Sequence, residues 1–465
     1  MQTDTQNPTP DQTFTALPLN AALQRALEVL GYTRMTPIQA QSLPPMLDGR
    51  DVIGEAPTGS GKTAAYALGL LSRIDPAQAR TQALVLCPTR ELADQVAREI
   101  RALARFIPNI KLTVLSGGIV KRPQLASLEH EPHIVVGMAG RVLEHLDSGA
   151  LKLDALKVLV LDEADRMLGA DFAAECRSIV EHAPRERQTL FFSATFADAV
   201  RGLSRQLQRK PVEIKVESDG RQIRQLFFEV SPRRRSDALA HLLSTYRPAS
   251  ALVFCFTRND AKDLEAELAQ RGYAVLGLHG HIDQRERDEV LVRFANGSCR
   301  VLVATDVAAR GLDIKDLAAV LSYELPEDPD QHVHRIGRTG RAGKTGLALN
   351  LYTADEAERV RAIEARLNIE ATIESLPGTL SPDRPLQPEV VTLCVDAGRR
   401  DKLRPGDLLG ALTGDIGLVK EAVGKISSFD TRTYFAIDRK HAARVLQRLR
   451  EVKIKGRKYR VREIG

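Results

Sequence analysis

Cysteine is scarce and unpatterned in this 465-residue sequence: Cys87, Cys176, Cys255, Cys299 and Cys394 are odd in number, scattered, and never spaced CxxC. That argues against a disulfide framework or a zinc site and suits the reducing cytoplasm. Also missing is any charge-free run of the ~18 apolar residues that a bilayer crossing needs. The first thirteen residues are polar and lack the basic start and apolar stretch of a secretory signal, so 1–13 read as a disordered leader. There is no tandem repeat and no low-complexity segment. What is present, 43% hydrophobic and 27% charged residues, is the composition of ordinary globular domains. The length allows two or three of them at roughly 100–200 residues each.

Excess positive charge is absent from most of the chain. Of the net +6, residues 387–465 hold 18 Lys+Arg against 10 Asp+Glu, while the preceding 386 residues hold 48 against 50. A basic tail on a near-neutral body indicates a polyanionic partner, nucleic acid before membrane because no long amphipathic apolar face accompanies it. A solubilising basic surface is the plainer alternative.

From about residue 14 to 212, short apolar runs (83–87, 110–115, 134–136, 158–161, 190–192) alternate with helical patterns. The runs are continuous rather than alternating, as in strands of a parallel sheet covered by helices on both faces. The pattern restarts near Ile223, with runs at 226–230, 252–256, 274–278, 301–304, 319–322 and 347–351. Between the blocks the charged stretch 209–224 reads as a linker, and Pro377, Gly378, Pro382, Pro385 and Pro388 mark a second boundary. The tail reads strand 390–395, helix 406–413, strands 425–429 and 433–437, helix 441–449, strand 459–462. That βαββαβ order occurs in small RNA-binding modules, and in others that bind no RNA. The expected organisation is a leader (1–13), a first domain (14–212), a second domain (213–376), a linker (377–388) and a tail domain (389–465).

Ala56-Pro57-Thr58-Gly59-Ser60-Gly61-Lys62-Thr63 follows the apolar pair Val52-Ile53 and opens a helical stretch. Glycines there let backbone N–H groups converge on phosphate oxygens, and the following helix adds its positive end. Lys62 brings a point charge to the terminal phosphates and Thr63 a hydroxyl to Mg2+. Ala56 stands where the strict pattern has Gly. A hundred residues on, the run 158–161 ends in Asp162-Glu163-Ala164-Asp165, which places carboxylates at the same sheet edge. Asp162 can hold Mg2+ and Glu163 can polarise the water that attacks the γ-phosphate. Together the two motifs indicate a Mg2+-dependent nucleoside triphosphatase.

Asp162-Glu163-Ala164-Asp165, with Ser193-Ala194-Thr195 thirty residues later, resembles the DEAD-box RNA helicases. Gly31-Tyr32, Thr36-Pro37-Ile38-Gln39 and Phe14 resemble that family's adenine-recognition motif, which implies ATP: the Gln39 amide can pair with one adenine edge while an aromatic ring stacks on its face. The resemblance covers residues 14–376 and implies two tandem RecA-like domains, with Ser193 and Thr195 coupling the ATP and RNA sites. Pro88, Thr89, Arg90, Gly117, Gly118, Gly140 and Arg141 are the candidates for RNA sugar and phosphate contacts, which carry no base specificity. Met138-Ala139 stands where most of the family has Thr-Pro.

The second block lacks a phosphate loop but carries His334-Arg335-Ile336-Gly337-Arg338-Thr339-Gly340-Arg341. Three arginines on a Gly-rich segment suit a γ-phosphate clamp, because guanidinium forks match phosphate oxygens. The resemblance implies that Arg338 and Arg341 are the fingers, and that in the segment 304–313 Asp313 bonds the ribose and Thr305 the RNA backbone. Gln284 and Arg287 match a further family element. With phosphate loop and fingers on different domains, RNA laid over both would favour closure and hydrolysis.

In the tail, 391–398, 402–415 and Lys453-Ile454-Lys455-Gly456-Arg457 resemble the C-terminal domain of a bacterial branch of the family that acts on 23S ribosomal RNA in large-subunit assembly. That likeness implies an RRM-like fold that holds hairpin 92 while the core opens neighbouring helices, most simply as a monomer. The stacking aromatics of ordinary RNA-recognition motifs are few here: the first strand offers Leu393 and Val395, the third Tyr434-Phe435. Lys425, Arg432, Lys453, Lys455, Arg457 and Lys458 are therefore the candidate RNA contacts. Other readings left open are a general mRNA helicase and an ATP-gated RNA clamp.

Overall fold

The computed structural model describes residues 13–464 apart from 118–119, 168–169, 197, 217–222, 281, 310–313, 315, 341–344, 377–384 and 386. Three sheets organise it. The first contains β1 (Val52–Glu55), β2 (Ala83–Leu86), β3 (Leu112–Leu115), β4 (Ile134–Gly137), β5 (Val158–Asp162), β6 (Gln188–Ser193) and β7 (Val212–Lys215). They are all parallel, in the order β3-β4-β2-β5-β6-β1-β7. Alternate residues of its strands enter two separate cores. Val85, Val136, Val160 and Phe192 pack on one face, and Leu84, Val135, Leu159 and Phe191 on the other. Both faces are thus apolar, which is why the strands read as unbroken runs.

The second sheet holds β8 (Ile223–Glu229), β9 (Ala251–Cys255), β10 (Val275–Leu278), β11 (Val301–Thr305), β12 (Ala319–Ser322), β13 (Gly346–Tyr352) and β14 (Thr372–Ile373). Its order, β10-β11-β9-β12-β13-β8-β14, is the same permutation as the first. Each slot in one sheet therefore has a counterpart in the other. The chain forms two compact units, one built on the first sheet and one holding the second and third.

Two strands lie where the sequence pattern indicates none. β7 falls inside the stretch expected to be a linker, so the first sheet runs past the expected boundary at 212. As an edge strand it needs only one apolar side: Ile214 is buried while Glu213 and Lys215 are exposed, and charged edges block further pairing. β14 is two exposed residues long and leaves no apolar run to detect.

The third sheet, β15 (Val390–Val395), β16 (Val423–Ser428), β17 (Thr433–Asp438) and β18 (Val461–Ile464), is antiparallel in the order β16-β17-β15-β18, with helices at Pro405–Gly410 and Ala442–Glu451. Leu393, Val395 and Phe435 belong to its inner core. The period of two sends Thr392, Cys394 and Tyr434 to the opposite face instead. That face is not open. Cys394, Tyr434 and Ile464 pack against Val292 of the helix Gln284–Asn296 of the second sheet's layer. Thr392 Oγ1 meets Ser298 Oγ at 2.7 Å and accepts from Asn296 Nδ2 at 3.3 Å, and Arg462 lies 3.9 Å from Glu289.

All five cysteines are free and buried, and burial pushes the Cys394 thiol up to about 11. Val292→Asp would bury an unpaired carboxylate in this junction, a cost of several kcal/mol. We expect it to undock the third sheet, read as alkylation of Cys394 by a thiol reagent that leaves the parent chain unmodified. An equally inert variant would contradict the junction.

Candidate nucleotide and RNA site

The phosphate loop leaves the carboxyl end of β1. Ala56 donates its N–H to Ser193 O (3.1 Å), continuing the β1–β6 pairing, and lacks the positive φ that would have required glycine. Gly59 (φ +81°) and Gly61 (φ +94°) do have it, and they turn the chain into the helix Lys62–Leu71. The turn is closed by Ser60 N donating to Pro57 O at 3.2 Å, with Thr58 between them. Lys62 lies back over the loop, donating to the carbonyls of Ala56 and Pro57. Thr63 is half-buried one residue later.

β5 brings Asp162 beside this loop and buries it. Tyr66 donates its hydroxyl to Asp162 Oδ2 at 2.7 Å, and Glu163 N donates to Oδ1 at 3.0 Å. Desolvation, then the neighbouring Glu163 charge, raises the Asp162 pKa to about 6. Tyr66 is a site residue that the motif reading missed. Its signal was there: one polar-tipped aromatic in an otherwise apolar helix, four residues and so one turn after Lys62. Glu163 sits at φ +52°, a conformation uncommon for a non-glycine residue and often found at functional sites.

Ser193 and Thr195 are tied to Asp165. Asp165 N donates to Ser193 Oγ at 3.1 Å, and Asp165 Oδ2 accepts from Thr195 N (3.1 Å) and Thr195 Oγ1 (3.0 Å). Any shift of the β6 end is therefore felt at the Asp-Glu-Ala-Asp turn.

Of the adenine candidates, Phe14 is placed differently from expectation. Phe14 is buried in the core, edge-on to Tyr32 at 6.0 Å, and offers no open face. Tyr32 is half-exposed, with its hydroxyl 3.3 Å from Glu99. The Gln39 amide accepts from Thr36 N (2.9 Å) and donates to Gly61 O (3.1 Å), which links this motif to the phosphate loop.

Pro88, Thr89 and Arg90 follow β2, where Thr89 Oγ1 caps a helix by accepting from Leu92 N (3.3 Å) and Arg90 lies 3.9 Å from Asp94. Gly117 follows β3, with open space where a Cβ would be. Gly140 and Arg141 are in the helix after β4. Arg141 is bound to Glu144 (3.0 Å) and Gln124 (3.3 Å), and Met138 caps that helix without a side-chain bond. These groups share the carboxyl edge of the sheet with the phosphate loop.

In the second unit Thr305 ends β11, its hydroxyl accepting from Ala308 N at 3.3 Å. Arg335 is not part of a phosphate clamp. It is 1% exposed, forked onto Asp306 at 2.6 and 2.9 Å, and donates to Glu324 O at 2.6 Å. Arg338 is buried just beyond the helix Pro329–Ile336, and Arg287 donates to Ala308 O at 2.7 Å. Gly118, Asp313 and Arg341 lie outside the described residues. In the tail Lys425, Lys453, Arg457 and Lys458 are exposed. Lys455 is exposed as well, in a surface pair with Asp407 at 2.8 Å, whereas Arg432 is mostly buried 3.8 Å from Asp396. Spacing alone could not separate the mostly buried Arg432 from the five exposed cations.

Family models match the chain in three places: DEAD/DEAH box helicase at 36–203, helicase conserved C-terminal domain at 234–343, and DbpA RNA binding domain at 392–463. The chain is 50% identical to the ATP-dependent RNA helicase DbpA of Escherichia coli strain K12, over 94% of its own length and 96% of that protein. It belongs to the DEAD-box RNA helicases. The DEAD-box helicase CshA of Geobacillus kaustophilus is 40% identical over 76% of either chain. Among solved structures, S. cerevisiae Dbp5 bound to RNA and ADP BeF3 superposes with a TM-score of 0.73 at 30% identity, covering 79% of this helicase and 96% of Dbp5. The two parallel sheets are thus RecA-like, and ATP is the nucleotide implied by family.

The raised Asp162 pKa makes a prediction. The native state keeps a proton that the unfolded chain releases between about pH 4 and 6, so stability falls as pH rises through that window. Asp162→Asn keeps an acceptor for Tyr66 without the charge. In nucleotide-free thermal melts it should exceed the parent by about 2–3 kcal/mol at neutral pH, a gap that closes below about pH 4. Equal melting at neutral pH would show that Asp162 is not strained by burial.

Proposed function

We propose that this DEAD-box protein is an ATP-dependent helicase that opens RNA duplexes locally and is addressed by its tail to 23S ribosomal RNA, at hairpin 92, during large-subunit assembly in the cytoplasm. The observation that carries the proposal is the match of 392–463 to the DbpA RNA binding domain, in one chain with the Lys62, Asp162, Asp165 and Thr195 arrangement. The reading is of a monomer, whose partners are RNA rather than membrane. Among the described residues no helix is long and apolar enough to cross a bilayer.

Thr63 and Asp162 would hold Mg2+. The fit rests on donor chemistry: a hydroxyl and a carboxylate are the oxygen donors a hard cation takes, and a carboxylate raised by burial gains from a nearby positive charge. When bound, the ion neutralises charge on the terminal phosphates. Lys62 leaves the loop carbonyls to meet those phosphates, and Glu163 orients the attacking water and takes up its proton. Arg338 and Arg341 complete the charge stabilisation, and Asp313 binds the ribose. The tail supplies specificity by raising the local concentration of its RNA at a core that reads only backbone. Exposed Lys425, Lys453, Lys455, Arg457 and Lys458 hold that RNA, because the sheet face is covered.

Lys62→Ala should abolish ATP turnover through weakened nucleotide binding. Glu163→Gln should bind ATP and RNA and lose hydrolysis by about 100-fold or more; loss of ATP binding instead would contradict the Glu163 role. The deciding experiment compares ATPase rates on large-subunit rRNA, small-subunit rRNA and an unrelated transcript, with and without residues 389–465. Preference for the large-subunit RNA should vanish with the tail while general stimulation remains. Equal stimulation of the full chain by all three RNAs favours a general mRNA helicase, and RNA binding with no stimulation by any of them favours a clamp.

A further inference from the structure

Because the two parallel sheets share one strand permutation, β9 occupies the slot of β2, β10 that of β3, and β11 that of β4. The chain leaving β2 reads Cys87-Pro88-Thr89-Arg90, and the chain leaving β9 reads Cys255-Phe256-Thr257-Arg258. The likeness extends to conformation. Both cysteines are buried at the strand end, both threonines cap the next helix (Thr89 Oγ1 from Leu92 N at 3.3 Å, Thr257 Oγ1 from Asp260 N at 3.1 Å), and both arginines open that helix. A glycine follows each neighbouring strand, Gly117 after β3 and Gly280 after β10. A Cβ on Gly280 would come within 2.9 Å of Arg258 Nε, so that arginine lies across it.

The departure is Phe256 in the place of Pro88. Phe256 is 48% exposed, one of the few large apolar side chains among the described residues left in water. Its backbone N–H donates to Glu324 Oε2 at 2.7 Å, and the Arg359 guanidinium stands 5.9 Å from the ring centroid. Beside it, β11 pairs Thr305 with Cys255, and two residues on Val307 is also exposed, at 66%. An aromatic ring is thus held open at the slot whose counterpart carries the candidate sugar and phosphate contacts of the first unit.

We infer that Phe256 is a nucleobase-stacking residue: one base of a bound single strand lies against its ring, next to a phosphate held by Arg258, since Thr257 already gives both its N–H and its hydroxyl to Asp260. Every base has a π-face, so the contact adds affinity for unpaired RNA without sequence preference, and it keeps the stacked base from re-pairing. This rests on the RNA-helicase reading above and adds to it a contact with the base in a core that otherwise holds sugar and phosphate.

The chain contains no tryptophan, so Phe256→Trp installs a single indole as reporter. The experiment titrates this full-length variant, with a non-hydrolysable ATP analogue present, using single-stranded oligoadenylate and an abasic oligomer of equal length. The indole should be quenched by the first at saturation and not by the second. Phe256→Ala should bind oligoadenylate about 5- to 100-fold more weakly than the parent by fluorescence anisotropy, with Phe256→Tyr restoring the affinity. Unchanged thermal melting, expected for an exposed position, separates this from misfolding. Equal quenching by both oligomers, no quenching, or parental affinity in Phe256→Ala overturns the stacking role while leaving the helicase reading intact if the parent binds RNA. A parent chain without RNA affinity overturns both.

Discussion

The carboxylate of Asp162, buried at the end of β5 and gripped by the Tyr66 hydroxyl, is the constraint around which the first unit is arranged. Burial alone favours its neutral form, and the fold opposes that tendency only in part, with two hydrogen bonds and the Lys62 charge. A carboxylate left in that condition is a poor contributor to stability and a good receptor for a cation. The cost is borne by the two apolar cores that cover both sheet faces. The strained backbone at Glu163 belongs to the same compromise, since it turns the chain out of the sheet while its N–H bonds back to Asp162.

From that point the site is wired by short bonds between neighbouring strand ends. Ala56 bonds to Ser193, Ser193 and Thr195 bond to Asp165, and Gln39 bonds to the Gly61 carbonyl. Each group sits at the carboxyl edge of a parallel sheet, where the strand order brings residues a hundred positions apart into contact. The second unit repeats the strand order but not the phosphate loop, and its corresponding bonds serve shape. Arg335 locks Asp306 to the helix before Arg338, and Arg287 holds the segment after Thr305. The two units thus share a topology but not a chemistry.

The tail follows a different rule. Its sheet covers one face with its own helices and the other with Val292, Ser298 and Asn296 of the core, so the surface on which an RNA-recognition fold usually stacks bases is occupied by protein. The exposed cations lie at its rim. The docking helix is also the one that carries Arg287, whose bond to Ala308 reaches the Thr305 loop. A physical path of packed side chains and one hydrogen bond therefore joins the tail to the segment after Thr305.

The two α/β blocks, the phosphate loop and the carboxylate turn were legible in the sequence because each depends on a local rule. Continuous apolar runs report strands buried on both faces, and Gly-Lys-Thr between strand and helix reports a cradle whose geometry is backbone. β7 and β14 escaped because edge strands need few apolar residues. The roles of Phe14, Arg335, Arg432 and Lys455 could not be read, since a buried ring or a paired cation is spelled the same as a free one. The available chemistry could be read before any fold was known, because it resides in residue types at fixed short spacings. Only the tertiary structure decided which side chains are spoken for, because their partners (Asp306 for Arg335, Asp407 for Lys455, Val292 for Tyr434) come from distant segments that nothing but the fold brings within reach.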